Sequence, residues 1–275
     1  MTKETVEFAS VTKRFGAIQA LNDVTFAIAP GETVALLGLN GAGKTTALEL
    51  LLGLRSPHSG SVRLCGGSPR SAHVRRMLGA TPQSTGFPDA LRAREIAAFV
   101  AANYPDPLAI DTVFRDFGLT EIADRRLGEL SGGQQRRIAV ALAFVGNPEV
   151  VVLDEPTTGL DVESRHRLWE RLARKSGRSV LFTTHYIEEA QALASRVIVI
   201  DHGSVHFDGG SRELRERFGR KRVEYVGSDG PVVALPEDAD RFVRNLVAAQ
   251  TPFRDLTITA PSLEDAFLVM TGANR

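Results

Sequence analysis

Residues 33–46 read TVALLGLNGAGKTT. An apolar run ends at a glycine, a glycine-rich turn follows, and Lys44, Thr45 and Thr46 open a run of helix formers. The spacing matches Gly-x-x-x-x-Gly-Lys-Thr, a pattern in which the N–H groups of a turn and the start of a helix face one anion. We therefore predict that a strand, a loop and a helix form a phosphate-binding loop here.

Each residue type in this loop suits a nucleotide. Glycines lack a Cβ, so their backbone N–H groups can converge on phosphate oxygens. Lys44 brings a full charge to the β- and γ-phosphates, and the Thr45 hydroxyl is placed to bind Mg²⁺. The alternative is a glycine-rich turn that binds nothing, but the apolar strand before it and the helix after it favour phosphate binding. The candidate nucleotide-binding residues are Gly38, Asn40, Gly41, Ala42, Gly43, Lys44, Thr45 and Thr46.

Composition limits the other classes of function. The 275 residues suffice for one large or two modest domains, and 33 basic residues balance 33 acidic ones. A net charge of zero gives no long-range attraction to nucleic acid or anionic lipid. Cys65 is the single cysteine, which excludes internal disulfides and cysteine-rich metal sites. We expect no secretory signal, because residues 1–5 lack an apolar core and carry an acid. We expect no membrane-spanning segment, because no run of 18 apolar residues occurs.

Two further apolar runs end in polar residues. Residues 150–153 lead into Asp154 and Glu155, and residues 179–182 lead into Thr183, Thr184 and His185. Apolar strands buried on both faces are typical of parallel sheets, which place ligands at their carboxyl ends. An acidic pair there is more often solvated, and a lone histidine is more often structural. With the phosphate-binding loop upstream, we expect Asp154 to hold Mg²⁺, Glu155 to deprotonate an attacking water and His185 to reach a γ-phosphate.

A helix start carries two unusual glycines. Ser131 and Gln134 have the spacing of a capping box, but Gly132 and Gly133 lie between them. Each glycine costs about 1 kcal/mol of helix stability relative to alanine, so the sequence indicates a backbone kept bare for a ligand. Phe15, between two predicted strands, is a core residue or stacks on a base, and its position alone favours the core.

Together these segments resemble the nucleotide-binding subunit of an ABC transporter over about residues 4–215. Residues 38–46 match the Walker A loop, 130–134 the family's signature motif and 150–155 Walker B. The resemblance assigns the remaining motifs to single residues. Gln83 belongs to the Q-loop, which ligates Mg²⁺ and assists catalysis, and Asp161 to the D-loop, where it is a nucleotide-binding residue. His185 is the switch histidine, and Phe15 stacks on adenine. The resemblance makes Glu155, His185, Gln83 and Lys44 catalytic, and Thr45, Gln83 and Asp154 metal ligands.

The resemblance also implies a mechanism and partners. Two cassettes close head to tail, so that Ser131, Gly132, Gly133 and Gln134 of one cap the ATP on the other's Walker A loop. The implied partners are a second cassette, in a homodimer, and an integral-membrane permease that holds the protein at the cytoplasmic face of the membrane. No nucleic acid is expected. Residues 262–268 look like the closing motif of drug-resistance-type (ABC-2) exporter ATPases, which favours export.

The expected fold is α/β: a P-loop NTPase (RecA-like) core, an N-terminal antiparallel β subdomain, a helical subdomain and a small α+β C-terminal appendage. We predict a cassette over residues 1–218, with helices over about 88–147, and an accessory domain over 219–275. The alternative function is a soluble ABC ATPase that acts on nucleic acid or the ribosome. Only 83 residues separate Thr46 from Leu130, without heptads or cysteine pairs, which argues against this alternative.

Overall fold

The computed structural model describes residues 4–81, 86–174, 177–184 and 186–272. These residues form two compact units that divide between Asp208 and Gly209. The division falls ten residues before the predicted boundary at 218/219, because the helix that follows Gly210 packs within the second unit.

The first unit contains nine strands, seven α-helices and two short 3₁₀ helices, Thr120–Ile122 and Leu127–Glu129, among its described residues. Its strands are β1 (Val6–Phe15), β2 (Ile18–Ile28), β3 (Thr33–Leu37), β4 (Ser59–Leu64), β5 (Leu78–Ala80), β6 (Val150–Asp154), β7 (Ser179–Thr183), β8 (Arg196–Asp201) and β9 (Ser204–Gly209). Its helices are α1 (Lys44–Leu51), α2 (Ala72–Arg75), α3 (Ala93–Ala101), α4 (Ile110–Phe117), α5 (Gly132–Val145), α6 (Val162–Ala173) and α7 (Ile187–Leu193).

A six-stranded sheet forms the centre of this unit, in the order β5-β6-β7-β3-β8-β9. The pairs from β5 to β8 are parallel. Strands β3, β6 and β7 are continuous apolar runs and are almost completely buried, because helices cover both faces of a parallel sheet. Their carboxyl ends therefore lie at one edge, which is where the predicted site residues begin.

A three-stranded antiparallel sheet in the order β2-β1-β4 precedes this core. Its apolar side chains join the cluster around α1, where the Phe8 and Phe26 rings stack at 4.4 Å. The predicted N-terminal antiparallel subdomain is therefore confirmed. Helices α3, α4 and α5 form the predicted helical segment, in which Phe117 contacts Phe144 at a ring distance of 5.2 Å.

The second unit is a small α+β fold. It contains α8 (Ser211–Phe218), β10 (Arg222–Gly227), β11 (Gly230–Ala234), α9 (Ala239–Ala248), β12 (Arg254–Thr259) and α10 (Leu263–Thr271), with strand order β11-β10-β12. Ser262 caps α10 by accepting a hydrogen bond from the Asp265 amide at 3.0 Å. Gly272 ends the helix with a left-handed φ of 66°. Serine at the N-cap and glycine after the last turn are residue types that commonly begin and end helices.

Strand β5 packs so closely on the end of α5 that position 79 admits only glycine. A Cβ at Gly79 would lie 1.8 Å from the Ala143 carbonyl oxygen. We expect Gly79→Ala to reduce the free energy of unfolding by about 1–3 kcal/mol, because backbone would have to shift to admit the methyl group. Urea denaturation measures this loss. Gly86→Ala is the control, since a Cβ there meets no described atom within 4 Å. Equal stability of both variants would contradict the prediction.

Candidate nucleotide site

The loop between β3 and α1 approaches two other backbone segments closely. A Cβ at Gly38 would lie 2.3 Å from the Ile200 carbonyl oxygen, and one at Gly43 would lie 2.5 Å from the Ala20 carbonyl oxygen. Gly43 also has a φ of 110°. Glycine at these two positions is thus required by contact with neighbouring chain segments and, at Gly43, by backbone conformation.

Lys44 is held inside this loop. Its side chain is only 8% exposed, and Nζ donates hydrogen bonds to the carbonyl oxygens of Gly38 at 2.7 Å and Leu39 at 3.0 Å. Burial lowers the pKa of Lys44, while the negative charges of Glu155 and Asp154 act in the opposite direction. A cation, a helix N-terminus and two carboxylates therefore meet within one small volume.

A cleft of about 460 Å³ contains most of the predicted nucleotide-binding residues. Gly38 and Ala42 belong to the loop but do not line the cleft. The sequence does not predict the opposite wall, because its residues come from β2 and from the turn after β8 and no local motif marks them. The cleft is lined by Ile18, Gln19, Ala20, Asn40, Gly41, Gly43, Lys44, Thr45, Thr46, Asp154, Glu155 and His202.

Asp154 is fixed by the strands beside it. It is the last residue of β6, pairs with Thr183 across the parallel ladder and accepts a hydrogen bond on Oδ1 from the Thr183 hydroxyl at 2.5 Å. Its amide donates to the Thr81 hydroxyl at 3.0 Å. The carboxylate therefore keeps one orientation at the floor of the cleft.

Glu155 leaves the strand with a φ of 46°, which is unusual for a residue with a side chain. Its amide donates to the Thr183 hydroxyl at 3.0 Å, and the Thr158 hydroxyl donates to its Oε2 at 2.9 Å. These contacts hold the turn and the carboxylate together. Backbone strain of this kind, a left-handed φ at a residue with a side chain, is typical of active sites.

Arg136 connects helix α5 to this acidic pair, a contact that the sequence does not predict. Its Nη2 donates to the carbonyl oxygens of Asp154 and, at 2.7 Å, of Glu155. Burial lowers the pKa of Arg136, against the opposing charges of Asp154, Glu155 and Glu189. No periodic signal distinguishes it from the neighbouring exposed-looking Arg137 in the sequence.

The capping box at Ser131 is confirmed. The Gln134 amide donates to the Ser131 hydroxyl at 3.2 Å, and the Ser131 amide donates to Gln134 Oε1 at 2.9 Å. A Cβ at Gly132 would meet no described atom within 4 Å, so the chain itself does not require this glycine. Residues 131–134 do not line the cleft, and neither does Asp161, the N-cap of α6.

The core interpretation of Phe15 is wrong. Phe15 ends β1 and is 38% exposed, with the Arg55 guanidinium 4.9 Å and the Lys13 ammonium 5.5 Å from its ring centre. Phe15 pairs with Ile18 at the turn between β1 and β2, and this position at the end of the strands leaves the ring accessible. It lies outside the residues that line the cleft. The two remaining predicted site residues, Gln83 and His185, lie outside the described residues.

Comparison with known proteins identifies the family. The family model described as "ABC transporter" matches residues 21–158. The Nod factor export ATP-binding protein I of Burkholderia thailandensis is 37% identical, and the match covers 99% of this chain and 98% of that protein. The doxorubicin resistance ATP-binding protein DrrA of Mycobacterium tuberculosis is 36% identical, with 93% of this chain and 89% of that protein covered.

Solved structures agree with the sequence relatives. The ATP-binding subunit of an ABC transporter has a TM-score of 0.70 and 27% identity, covering 78% of this chain and 93% of that one. A dimeric ATP-binding cassette in a post-hydrolysis state, bound to ADP and Pi, has a TM-score of 0.67 and 27% identity, covering 74% and 98%. The predicted P-loop fold is confirmed. The chain belongs to the ABC transporter family, in which it is an ATP-binding and ATP-hydrolysing subunit of an exporter.

Proposed function

We propose that two copies of this chain close head to tail around two ATP molecules and that closure drives a separate membrane permease. One observation carries the proposal. Lys44, Thr45 and the acidic pair line a single cleft, whereas the open start of α5 does not reach it. A free helix N-terminus with an unobstructed glycine is suited to an anion, and the triphosphate of a second copy supplies one. The dimeric cassette among the similar structures supports this arrangement.

Mg²⁺ fits the oxygen atoms of this cleft. Thr45 and Asp154 both line it, and hydroxyl and carboxylate oxygens are ligands that Mg²⁺ accepts. Nucleotide oxygens and water would complete the coordination, since protein-bound Mg²⁺ usually keeps several waters. Gln83 is the third proposed ligand. When bound, Mg²⁺ neutralises charge that develops on the phosphates.

Glu155 is the proposed general base. The Thr158 hydroxyl and the fixed backbone hold its carboxylate beside the cleft, where it can orient a water molecule and accept its proton. When ATP binds, Lys44 exchanges its hydrogen bonds to two loop carbonyl oxygens for hydrogen bonds to phosphate oxygens. Charged phosphate oxygens form stronger hydrogen bonds with the buried cation than neutral carbonyl oxygens do. We assign Phe15 to stacking on adenine, His185 and Gln83 to the γ-phosphate and attacking water, and Asp161 to the dimer interface.

The proposed membrane partner is an integral permease, which places the protein at the cytoplasmic face of the membrane. None of the helices in the described part of the chain has the length and apolar character that a membrane crossing requires. Relatives named for Nod factor export and doxorubicin resistance support outward transport. Those names point to different compounds, so we assign the choice of cargo to the permease.

Action on nucleic acid is the weaker alternative. Arginines in the second unit pair with neighbouring acids: Arg212 with Glu216 at 2.7 Å and Arg220 with Glu237 at 3.2 Å. Paired side chains on a solvated surface leave little free charge for phosphates. The full-length match to exporter ATPases also favours transport.

Glu155→Gln should retain ATP binding, abolish steady turnover and trap a dimer, because the amide cannot accept the proton of the attacking water. Analytical ultracentrifugation with ATP and a phosphate-release assay measure both effects. Glu149→Gln, at the opposite end of β6, is the control. Turnover by Glu155→Gln would remove this residue from its role, and a strictly monomeric variant at saturating ATP would contradict the proposed dimer.

Lys44→Ala should weaken ATP binding about 10- to 100-fold, the range expected for a lost hydrogen bond to a charged group. Isothermal titration calorimetry with the non-turnover Glu155→Gln background separates binding from hydrolysis. Lys221→Ala, in the second unit, removes the same charge away from the loop. Equal affinity of the Lys44 and Lys221 variants would argue against phosphate contact by Lys44.

Ser131→Arg should block turnover and leave nucleotide binding to the monomer intact, because a long side chain would fill the open helix start. Ser71→Arg is a matched control, since Ser71 is also an exposed N-cap residue. Phosphate release and fluorescent-nucleotide binding give the two readouts. Full activity of Ser131→Arg would refute an interface at this motif.

A further inference from the structure

A buried carboxylate on α7 forms a hydrogen bond with a side chain of α6. Glu189 lies in the first turn of α7 and is 0% exposed. Its Oε1 accepts a hydrogen bond at 3.0 Å from the indole Nε1 of Trp169, on α6. Trp169 is itself buried and is the single tryptophan of the chain. Neither residue lines the nucleotide cleft.

A second contact lies one turn earlier on α6. The Arg165 guanidinium lies 4.1 Å from the ring centre of Tyr186, the N-cap residue of α7. Residues 165 and 169 share one face of α6, because positions four apart in a helix are neighbours. The two contacts form what we call the α6–α7 clamp, which consists of Arg165, Trp169, Tyr186 and Glu189.

The α6–α7 clamp connects two parts of the proposed site. At one end, α6 begins at Asp161, whose carboxylate accepts hydrogen bonds from the Ser164 amide at 2.7 Å and the Ser164 hydroxyl at 2.9 Å. At the other end, the Tyr186 amide donates to the buried Thr184 hydroxyl at 2.9 Å, directly after β7. Strand β7 in turn positions Asp154 through Thr183.

Stability alone does not explain a glutamate at position 189. Burial raises the pKa of Glu189, while the Thr184, Trp169 and Thr157 groups and the charge of Arg165 act in the opposite direction. Glu189 Oε2 and Thr157 Oγ1 are buried, and neither has a hydrogen-bond partner of good geometry among the described residues. An incompletely paired buried carboxylate costs free energy, and an apolar residue of similar size often serves stability better.

We propose that Glu189 is a positioning residue that acts through Trp169 to set the place of α6, and hence of Asp161, relative to the catalytic end of the sheet. The inference rests on the proposed function, because Asp161 matters for turnover only if it meets a second copy. Glu189 itself touches no nucleotide. Its effect therefore falls on the step that requires both copies and not on the binding of ATP by one copy.

Glu189→Ala should lower kcat about tenfold or more at saturating ATP, as expected for a lost hydrogen bond to a charged group, and leave the monomer's Kd for ATP within about twofold. Glu189→Gln should keep at least half of the wild-type kcat, because its amide oxygen still accepts the indole N–H. Glu188→Ala, an exposed neighbour on the same helix turn, is the matched control. Phosphate release and calorimetric titration give the two constants.

Trp169 supplies a spectroscopic readout that a general loss of stability would not reproduce. In the Glu155→Gln background, addition of ATP should change the tryptophan emission as the dimer forms. The change should persist with Glu189→Gln and disappear with Glu189→Ala. Should Glu189→Ala fail to fold, Trp169→Phe removes the donor but keeps an aromatic ring, and the same loss of kcat at unchanged Kd is expected by phosphate release.

Three results would overturn the inference: a wild-type kcat in Glu189→Ala, or in folded Trp169→Phe; a kcat loss matched by an equal loss of ATP affinity; or the same loss in Glu188→Ala. Each leaves the proposed function standing if the wild-type chain hydrolyses ATP and the Glu155→Gln variant dimerises. A wild-type chain that shows neither behaviour overturns the proposed function, and the role of Glu189 falls with it.

Discussion

The parallel register between β6 and β7 fixes the positions of Asp154 and Glu155, the acidic pair that follows β6. It pairs Asp154 with Thr183, so one threonine binds the aspartate through its hydroxyl and also receives the Glu155 amide. A slip of one residue would turn every side chain of β6 to the other face of the sheet. Both strands are packed on both faces, so such a slip would misfit their buried side chains and separate Asp154 from Thr183. The packing of apolar residues thereby sets the geometry of two carboxylates.

The sequence was sufficient to predict the parts of the site that one chain segment supplies. In the sequence, the Walker A loop is an apolar run followed by glycines, and the end of β6 is an apolar run followed by two acidic residues. The structure brings both segments to one cleft. The opposite wall could not be predicted, because Ile18 and His202 are brought to the loop by tertiary packing alone. Phe15 was misplaced in the core for a related reason: alternation does not reveal where a strand leaves the sheet.

Arg136 illustrates a second limit of sequence reasoning. Two consecutive arginines in the second turn of a helix suggest side chains exposed to solvent. The first of them, however, is buried and donates hydrogen bonds to two carbonyl groups. Only the position of β6 against α5 reveals its partners. In the second unit, by contrast, local signals decide the structure: Ser262 caps α10 and Gly272 ends it, as their residue types predict. Local signals therefore suffice for the ends of α10, whereas the partners of Arg136 depend on packing between distant segments.

Helix α5 has an open glycine at its first position and Arg136 four residues later. At a rise of about 1.5 Å per residue, these points are about 6 Å apart along the helix axis. A short helix segment is stiff, so a push on its first turn moves the guanidinium with it. If a neighbouring copy's triphosphate presses there, the carbonyl groups of this copy's own acidic pair are displaced in the same motion. In a dimer, the two ATP sites would then be mechanically linked through little more than one helical turn in each copy. Such a link is a direct route to cooperative hydrolysis by the two sites.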